Sequence, residues 1–106
     1  SFDDAENECV GNGGHLVSIH TAQMNEFVAR KAQALGHTGM HIGLMTDSRA
    51  GKMAWSDESH VNYTNFAKGF PLDAFGHCTA METGASSGEW VSSKCASGHL
   101  PYACTR

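Results

Sequence analysis

The chain carries little charge: Asp, Glu, Lys and Arg make up only 17% of its 106 residues. Its surface must therefore rely on Ser, Thr, Asn, Gly and His. The net charge is -4 with histidines neutral, which argues against a nucleic-acid partner or an anionic membrane surface. No apolar run approaches the length of a bilayer span, so no membrane insertion is expected. Catalytic signatures are missing as well. There is no Gly-x-Ser-x-Gly elbow, no phosphate-cradling loop and no His-Glu-x-x-His. Ser92, Ser93 and Ser97 near His99 read as loop composition, and the Gly/Ser stretch at 84–88 as turn chemistry. The histidines, His15, His20, His37, His41, His60, His77 and His99, are scattered without a His-x-x-x-His pair on a helix, so no metal site is expected from them. They do make the net charge sensitive between about pH 5 and 7. No heptad stretch specifies an oligomer, which leaves oligomerisation open. The chain opens on Ser1 with neither an initiator Met nor a signal peptide, so a secreted domain of this sequence would be a processed or excised piece.

What the chain does have is four cysteines, Cys9, Cys78, Cys95 and Cys104. None stands in the close Cys-x-x-Cys spacing of a zinc or thiol-redox site. An even count in a small domain reads as a disulfide framework, and that points to an oxidising compartment and a secreted location. The alternative is four unpaired thiols buried as small hydrophobes. Four cysteines allow three pairings, and their positions do not choose among them. With 41% hydrophobic residues, the length suits one domain, 1–106, with one modest core.

Residues 1–10 suit a helix: Phe2, Ala5, Glu6 and Cys9 recur at helical spacing, and Asp3 and Asp4 favour its positive end. The run 11–14, Gly-Asn-Gly-Gly, stops it. A short strand over 15–20 carries Leu16, Val17 and Ile19. Thr21 caps a second helix whose apolar stripe is Met24, Phe27, Val28, Ala32 and Leu35, and Gly36 ends it. A buried strand is expected over 41–45 and shorter strands over 53–55, 61–63, 77–81, 89–92 and 100–104. Residues 65–77 show no period and contain Pro71; a long loop in so small a domain is often functional. Early helices followed by antiparallel strands make the class α+β.

Several motifs now stand in one order. They are Gly14-His15-Leu16-Val17-Ser18-Ile19, Ile42-Gly43-Leu44, Trp55-Ser56-Asp57, Val61-Asn62-Tyr63-Thr64-Asn65-Phe66, Gly69-Phe70-Pro71, Cys78, Gly88-Glu89-Trp90, Cys95 and Pro101-Tyr102-Ala103-Cys104. Together they resemble the C-type lectin-like domain over nearly the whole chain, with the usual first strand clipped before Ser1. The resemblance implies two helices flanking antiparallel sheets, a long ligand-binding loop, and disulfides joining Cys9 to Cys104 and Cys78 to Cys95. It implies a cis Pro71. It also places Ile42-Gly43-Leu44 in the central core strand, where His41 stands in the place of the family's usual Trp.

Sugar-binding members hold a calcium ion, which needs about six to eight oxygen ligands. The family's Glu-Pro-Asn or Gln-Pro-Asp reads here Phe70-Pro71-Leu72. Gly76 stands where an acidic residue precedes Cys78, and Val91 and Ser92 replace Asn and Asp after Trp90. Only Asp73 remains nearby. The resemblance thus predicts no metal or other cofactor and no calcium-dependent mannose or galactose recognition. Phe70, Leu72 and Phe75, with Asp73, His77 and Trp90, become the candidate ligand-binding residues; the alternative is that the apolar ones fold inward in place of the metal. The expected function is that of a secreted, non-enzymatic recognition module that binds a protein or glycan. Two rivals are metal-free sugar stacking on Phe70, Phe75 or Trp90, and a structural, self-assembling role. Asn62-Tyr63-Thr64 is a sequon for N-glycosylation.

Overall fold

A computed structural model describes residues 1–47, 49–84, 88–96 and 100–105. Ser97, His99 and most of the 84–88 stretch lie outside the described residues. In chain order the elements are α1 (Phe2–Gly11), β1 (His15–Leu16), α2 (Ala22–Ala34), β2 (Gly39–Asp47), β3 (Lys52–Trp55), a single 3-10 turn (Asp73–Phe75), β4 (Cys78–Glu82), β5 (Glu89–Ser93) and β6 (Cys104–Thr105). Four strands form an antiparallel sheet in the order β3-β2-β4-β5, and β1 pairs with β6 in a second, two-stranded sheet. This is the expected α+β architecture.

Local chemistry sets the helix starts. The Ser1 hydroxyl accepts from the Asp4 amide at 3.3 Å, and the Thr21 hydroxyl accepts from the Met24 amide at 3.0 Å. Each satisfies a donor that the first helical turn leaves free. A carboxylate then ties α1 to β1: Glu6 accepts from the Leu16 amide at 2.8 Å and lies 2.7 Å from the His15 ring. Burial works to raise the Glu6 carboxyl, but those hydrogen bonds win and hold it below its ordinary value.

The disulfides join Cys9 to Cys104 and Cys78 to Cys95, with Cα–Cα distances of 5.4 and 5.1 Å. The first links residues 95 apart in sequence and the second residues 17 apart. By chain entropy, closures of those lengths stabilise by roughly 4–5 and 3 kcal/mol.

Where β1 runs into the central strand, Gly43 is required. Its amide donates to the Val17 carbonyl at 2.9 Å, and its own carbonyl accepts from the Ser56 amide at 2.8 Å. A Cβ there would sit 2.8 Å from both the Leu16 carbonyl oxygen and the Ser56 hydroxyl.

Trp90 lies at the centre of the core with 0% exposure. The rings of Trp55, Tyr63 and Phe66 meet it edge-on, with centroids 5.6, 5.8 and 5.5 Å away. Its indole N–H donates to Asn25 Oδ1 at 2.7 Å, while Asn25 Nδ2 donates to the Gly88 carbonyl at 3.0 Å.

The structure corrects several boundaries and one face. Met24, Phe27 and Leu35 are exposed, Leu35 by 75%; α2 instead buries Asn25, Val28, Ala29 and Ala32. The small side chains let the helix settle close to β5, with a Cβ at Gly88 only 3.4 Å from that of Ala29. The apolar stripe is simply wider than the buried one. Residues 61–63 form no strand among the described residues, although Val61 and Tyr63 still pack on the core. The strands expected over 15–20 and 100–104 shrink to two residues each.

His41 is fully buried, its ring edge-on to Phe2 at 6.1 Å. Neither ring nitrogen meets a polar partner among the described residues. Burial therefore holds its pKa below the ordinary 6.5.

Two expectations follow from these buried groups. Asn25→Ala strands the Trp90 N–H and should cost about 1–3 kcal/mol in urea unfolding. His41 binds protons more readily when unfolded, so its contribution is intact above pH 6.5 and lost as pH falls through the lower folded value. His15, raised above its ordinary value by its hydrogen bond to Glu6, works oppositely: its contribution is lost as pH rises. His41→Phe should therefore flatten the acid fall in melting temperature that His41 contributes. An unchanged pH profile in that variant would count against this reading of His41.

Candidate functional site

The long loop leaves the core at Asn65 and returns at Cys78, and its stem is fastened to Trp90 from both sides. The Trp90 amide donates to the Asn65 carbonyl and the Ala67 amide to the Trp90 carbonyl, each at 2.9 Å. Asn65 Nδ2 adds a 2.9 Å bond to the Gly88 carbonyl. The base of the loop is thus an extension of the core.

Beyond the stem, the Phe70–Pro71 peptide is cis, as the resemblance implied. The following Leu72 amide donates to the Ser92 hydroxyl at 2.9 Å. Ser92 stands in β5, and its hydroxyl holds the loop backbone directly. The 3-10 turn closes with the Phe75 amide on the Leu72 carbonyl and the Gly76 amide on the Asp73 carbonyl, both at 3.0 Å. Gly76 has φ +125°, and a Cβ there would fall 2.1 Å from the Ser93 carbonyl oxygen. No side chain fits at this position, whatever its charge.

The remaining loop charge is engaged within the protein. Asp73 Oδ2 accepts from the Arg49 amide at 3.4 Å, and its Oδ1 lies 3.6 Å from His77 Nδ1. That same nitrogen donates to the Thr46 carbonyl at 3.0 Å. Among the described residues, no group of three or more His, Cys, Asp or Glu side chains is placed to hold a metal ion.

Of the residues named from the sequence, the structure brings Phe70, Leu72, Asp73, Phe75 and His77 together on the loop. The Phe70 and Phe75 rings tilt against each other at 5.6 Å, with Phe70 half-buried and Phe75 54% exposed. Leu72 is 43% exposed. Trp90 does not belong with them. Its ring lies wholly inside the core and offers no face for stacking, so its assignment as a ligand-binding residue is corrected.

The structure also adds a neighbour that sequence reasoning missed. The β2–β3 hairpin sets Asp47, Gly51, Lys52 and Met53 beside Pro71 around a groove of about 280 Å³. Met53 is 42% exposed. An apolar residue between the exposed Lys52 and Ala54 was the available signal.

A family model described as "Lectin C-type domain" matches residues 1–106. The chain belongs to the C-type lectin domain family. It is 35% identical to the human low affinity immunoglobulin epsilon Fc receptor over 99 residues, covering 92% of this chain but 29% of the receptor. Identity is 30% to a type-2 ice-structuring protein of Hemitripterus americanus, over 90% of this chain and 56% of that protein. The chain thus spans about half or less of these two relatives. The snaclec GPIB-binding protein subunit alpha of Bothrops jararaca is 33% identical over 95% of this chain and 72% of its own length.

Solved structures agree. The cow CD23 carbohydrate-recognition domain, crystallised in the presence of an oligosaccharide, superposes with a TM-score of 0.82 at 30% identity, over 97% of this chain and 77% of that one. A calcium-independent type II antifreeze protein gives 0.83 at 28% identity, over 98% and 76%. The present domain is accordingly a C-type lectin-like recognition domain, a family whose members bind carbohydrate or protein ligands. No helix among its described residues is long and apolar enough to cross a membrane.

The close approach at Gly76 makes a direct test of the loop geometry. Gly76→Ala should destabilise the fold by about 1–3 kcal/mol through the strained φ alone, before any displacement of β5. Chemical denaturation read by tryptophan fluorescence measures it. A neutral result would mean that the loop does not lie against Ser93.

Proposed function

We propose that this domain is a secreted recognition module that binds its ligand without calcium, through the long loop and the adjoining β2–β3 hairpin. The observation that carries this reading is the Leu72–Ser92 hydrogen bond. The loop is held by a neutral amide–hydroxyl contact at the place where sugar-binding relatives would spend oxygen donors on an ion. Phe70 and Leu72 flank the proline with apolar side chains, and Gly76 has no space for a carboxylate. One carboxylate already engaged by the Arg49 amide does not supply the six to eight oxygens that calcium takes.

The surface that results is apolar and rimmed by charge. Leu72 and Phe75 are exposed on the loop, and Pro71 of the same loop shares a groove with Met53, Lys52 and Asp47 of the hairpin. A cluster of apolar side chains with a polar rim is the form of a protein-binding surface. The two disulfides support passage through an oxidising compartment. A second reading, metal-free sugar binding, is favoured by one observation, the 54% exposure of Phe75, which leaves a ring face for stacking.

Calcium that binds only the folded chain raises stability by mass action. Titrating calcium to millimolar levels should therefore leave the melting temperature unchanged, and chelator should not diminish ligand capture. A calcium-dependent rise would overturn the proposal. Once a ligand is in hand, Leu72→Ala and Phe75→Ala should each weaken binding about tenfold or more, the scale of an interface hot spot, with folding intact. Binding to glycan arrays that survives chelator would select the sugar reading. Concentration-dependent light scattering without glycan signal would point instead to self-assembly.

A further inference from the structure

The segment after Asp57 is not used by the loop, yet it is built with care. Of the five asparagines, Asn7, Asn12, Asn25, Asn62 and Asn65, only Asn62 has a Ser or Thr two residues on. Here the chain forms no strand among the described residues, yet burial alternates along 61–64. Val61 and Tyr63 turn inward and pack on the core, Tyr63 against Trp90. Asn62 and Thr64 are both exposed. Tyr63, between the two sequon residues, is what fixes them on the outer side.

The Asn62 amide is itself oriented. Its Oδ1 accepts from His20 Nδ1 at 2.8 Å. The other ring nitrogen of His20 lies 3.0 Å from the Ser59 hydroxyl, which bonds Asp57 Oδ1 at 2.5 Å. Asp57 is anchored in turn by the Ser18 hydroxyl and the Ser59 amide, at 2.5 and 2.9 Å. The His20 ring packs edge-on with that of buried Trp55 at 5.9 Å. A chain of contacts rooted in the core thus holds the carbonyl oxygen of Asn62 and leaves its amide nitrogen to solvent.

We propose that Asn62 is a site of N-linked glycosylation and that the folded domain is shaped to carry the glycan there without losing a hydrogen bond. In the transfer, the amide nitrogen forms a bond to the anomeric carbon of a lipid-diphosphate-linked oligosaccharide. The bond from that carbon to the diphosphate oxygen breaks, the lipid diphosphate leaves, and the nitrogen gives up one proton. Oδ1 takes no part in the product linkage and stays available to His20. The attached sugar points away from Val61 and Tyr63, so the core does not move. This inference rests on the secretory route proposed above, and the test separates the two by imposing the route.

The chain, placed behind a cleavable secretion signal, is translated into microsomes competent for N-glycosylation. Intact mass and gel mobility are read before and after peptide N-glycosidase. The wild type should carry one glycan mass that the enzyme removes, converting the linked asparagine to aspartate. Asn62→Gln and Thr64→Ala should both abolish the added mass, and Thr64→Ser should keep it. Glycosylated and unglycosylated forms should melt within a degree or two of each other, because no bond of the fold is lost. A chain that enters the lumen, forms both disulfides and keeps its unmodified mass overturns the proposal. So does a glycan that persists in Thr64→Ala.

Discussion

Burial of the Trp90 ring is the constraint on which the rest of this structure depends. A buried indole brings a large apolar gain and one donor that must be satisfied. Asn25 satisfies it from α2, so the helix is positioned by a polar contact within an otherwise apolar core. The other amide group of Asn25 then binds the carbonyl of Gly88, two residues before Trp90. On the opposite side the backbone of Trp90 takes both ends of a short bridge from Asn65 to Ala67. Helix, sheet and loop stem are therefore arranged around one side chain. The loop can diverge in sequence beyond Ala67 without loosening the core.

The remainder of the scaffold handles two different problems. Cys9–Cys104 closes the ends of the chain, which limits the unfolded ensemble where contacts between distant residues are entropically most costly. Gly43 addresses a steric problem instead. The segment after β1 crosses the central strand so closely that a methyl group would strike the Leu16 carbonyl. A Ser92 hydroxyl, a hydrogen-bonded 3-10 turn and the contact of Gly76 with Ser93 give the loop its local order. The apolar side chains of Leu72 and Phe75 remain outside.

The chain by itself determined what depends on neighbours in sequence. The helix start at Thr21 was legible because a cap needs only a hydroxyl and an amide three residues on. The central strand, the loop span and the family were legible from ordered short motifs, and the family supplied the cysteine pairing that spacing left open. Tertiary structure alone decided what depends on which distant surface arrives opposite. Asn25 lies outside the apolar stripe of α2 and is a core acceptor, because a tryptophan 65 positions away points at it. Phe27 and Leu35 read as core and stand in solvent, because small residues let the helix sit lower on its other side. Trp90 and Phe75 are both aromatic residues near one loop, yet one is enclosed by three rings and the other is open. Burial is a relation between segments far apart in the chain, and no local period encodes it.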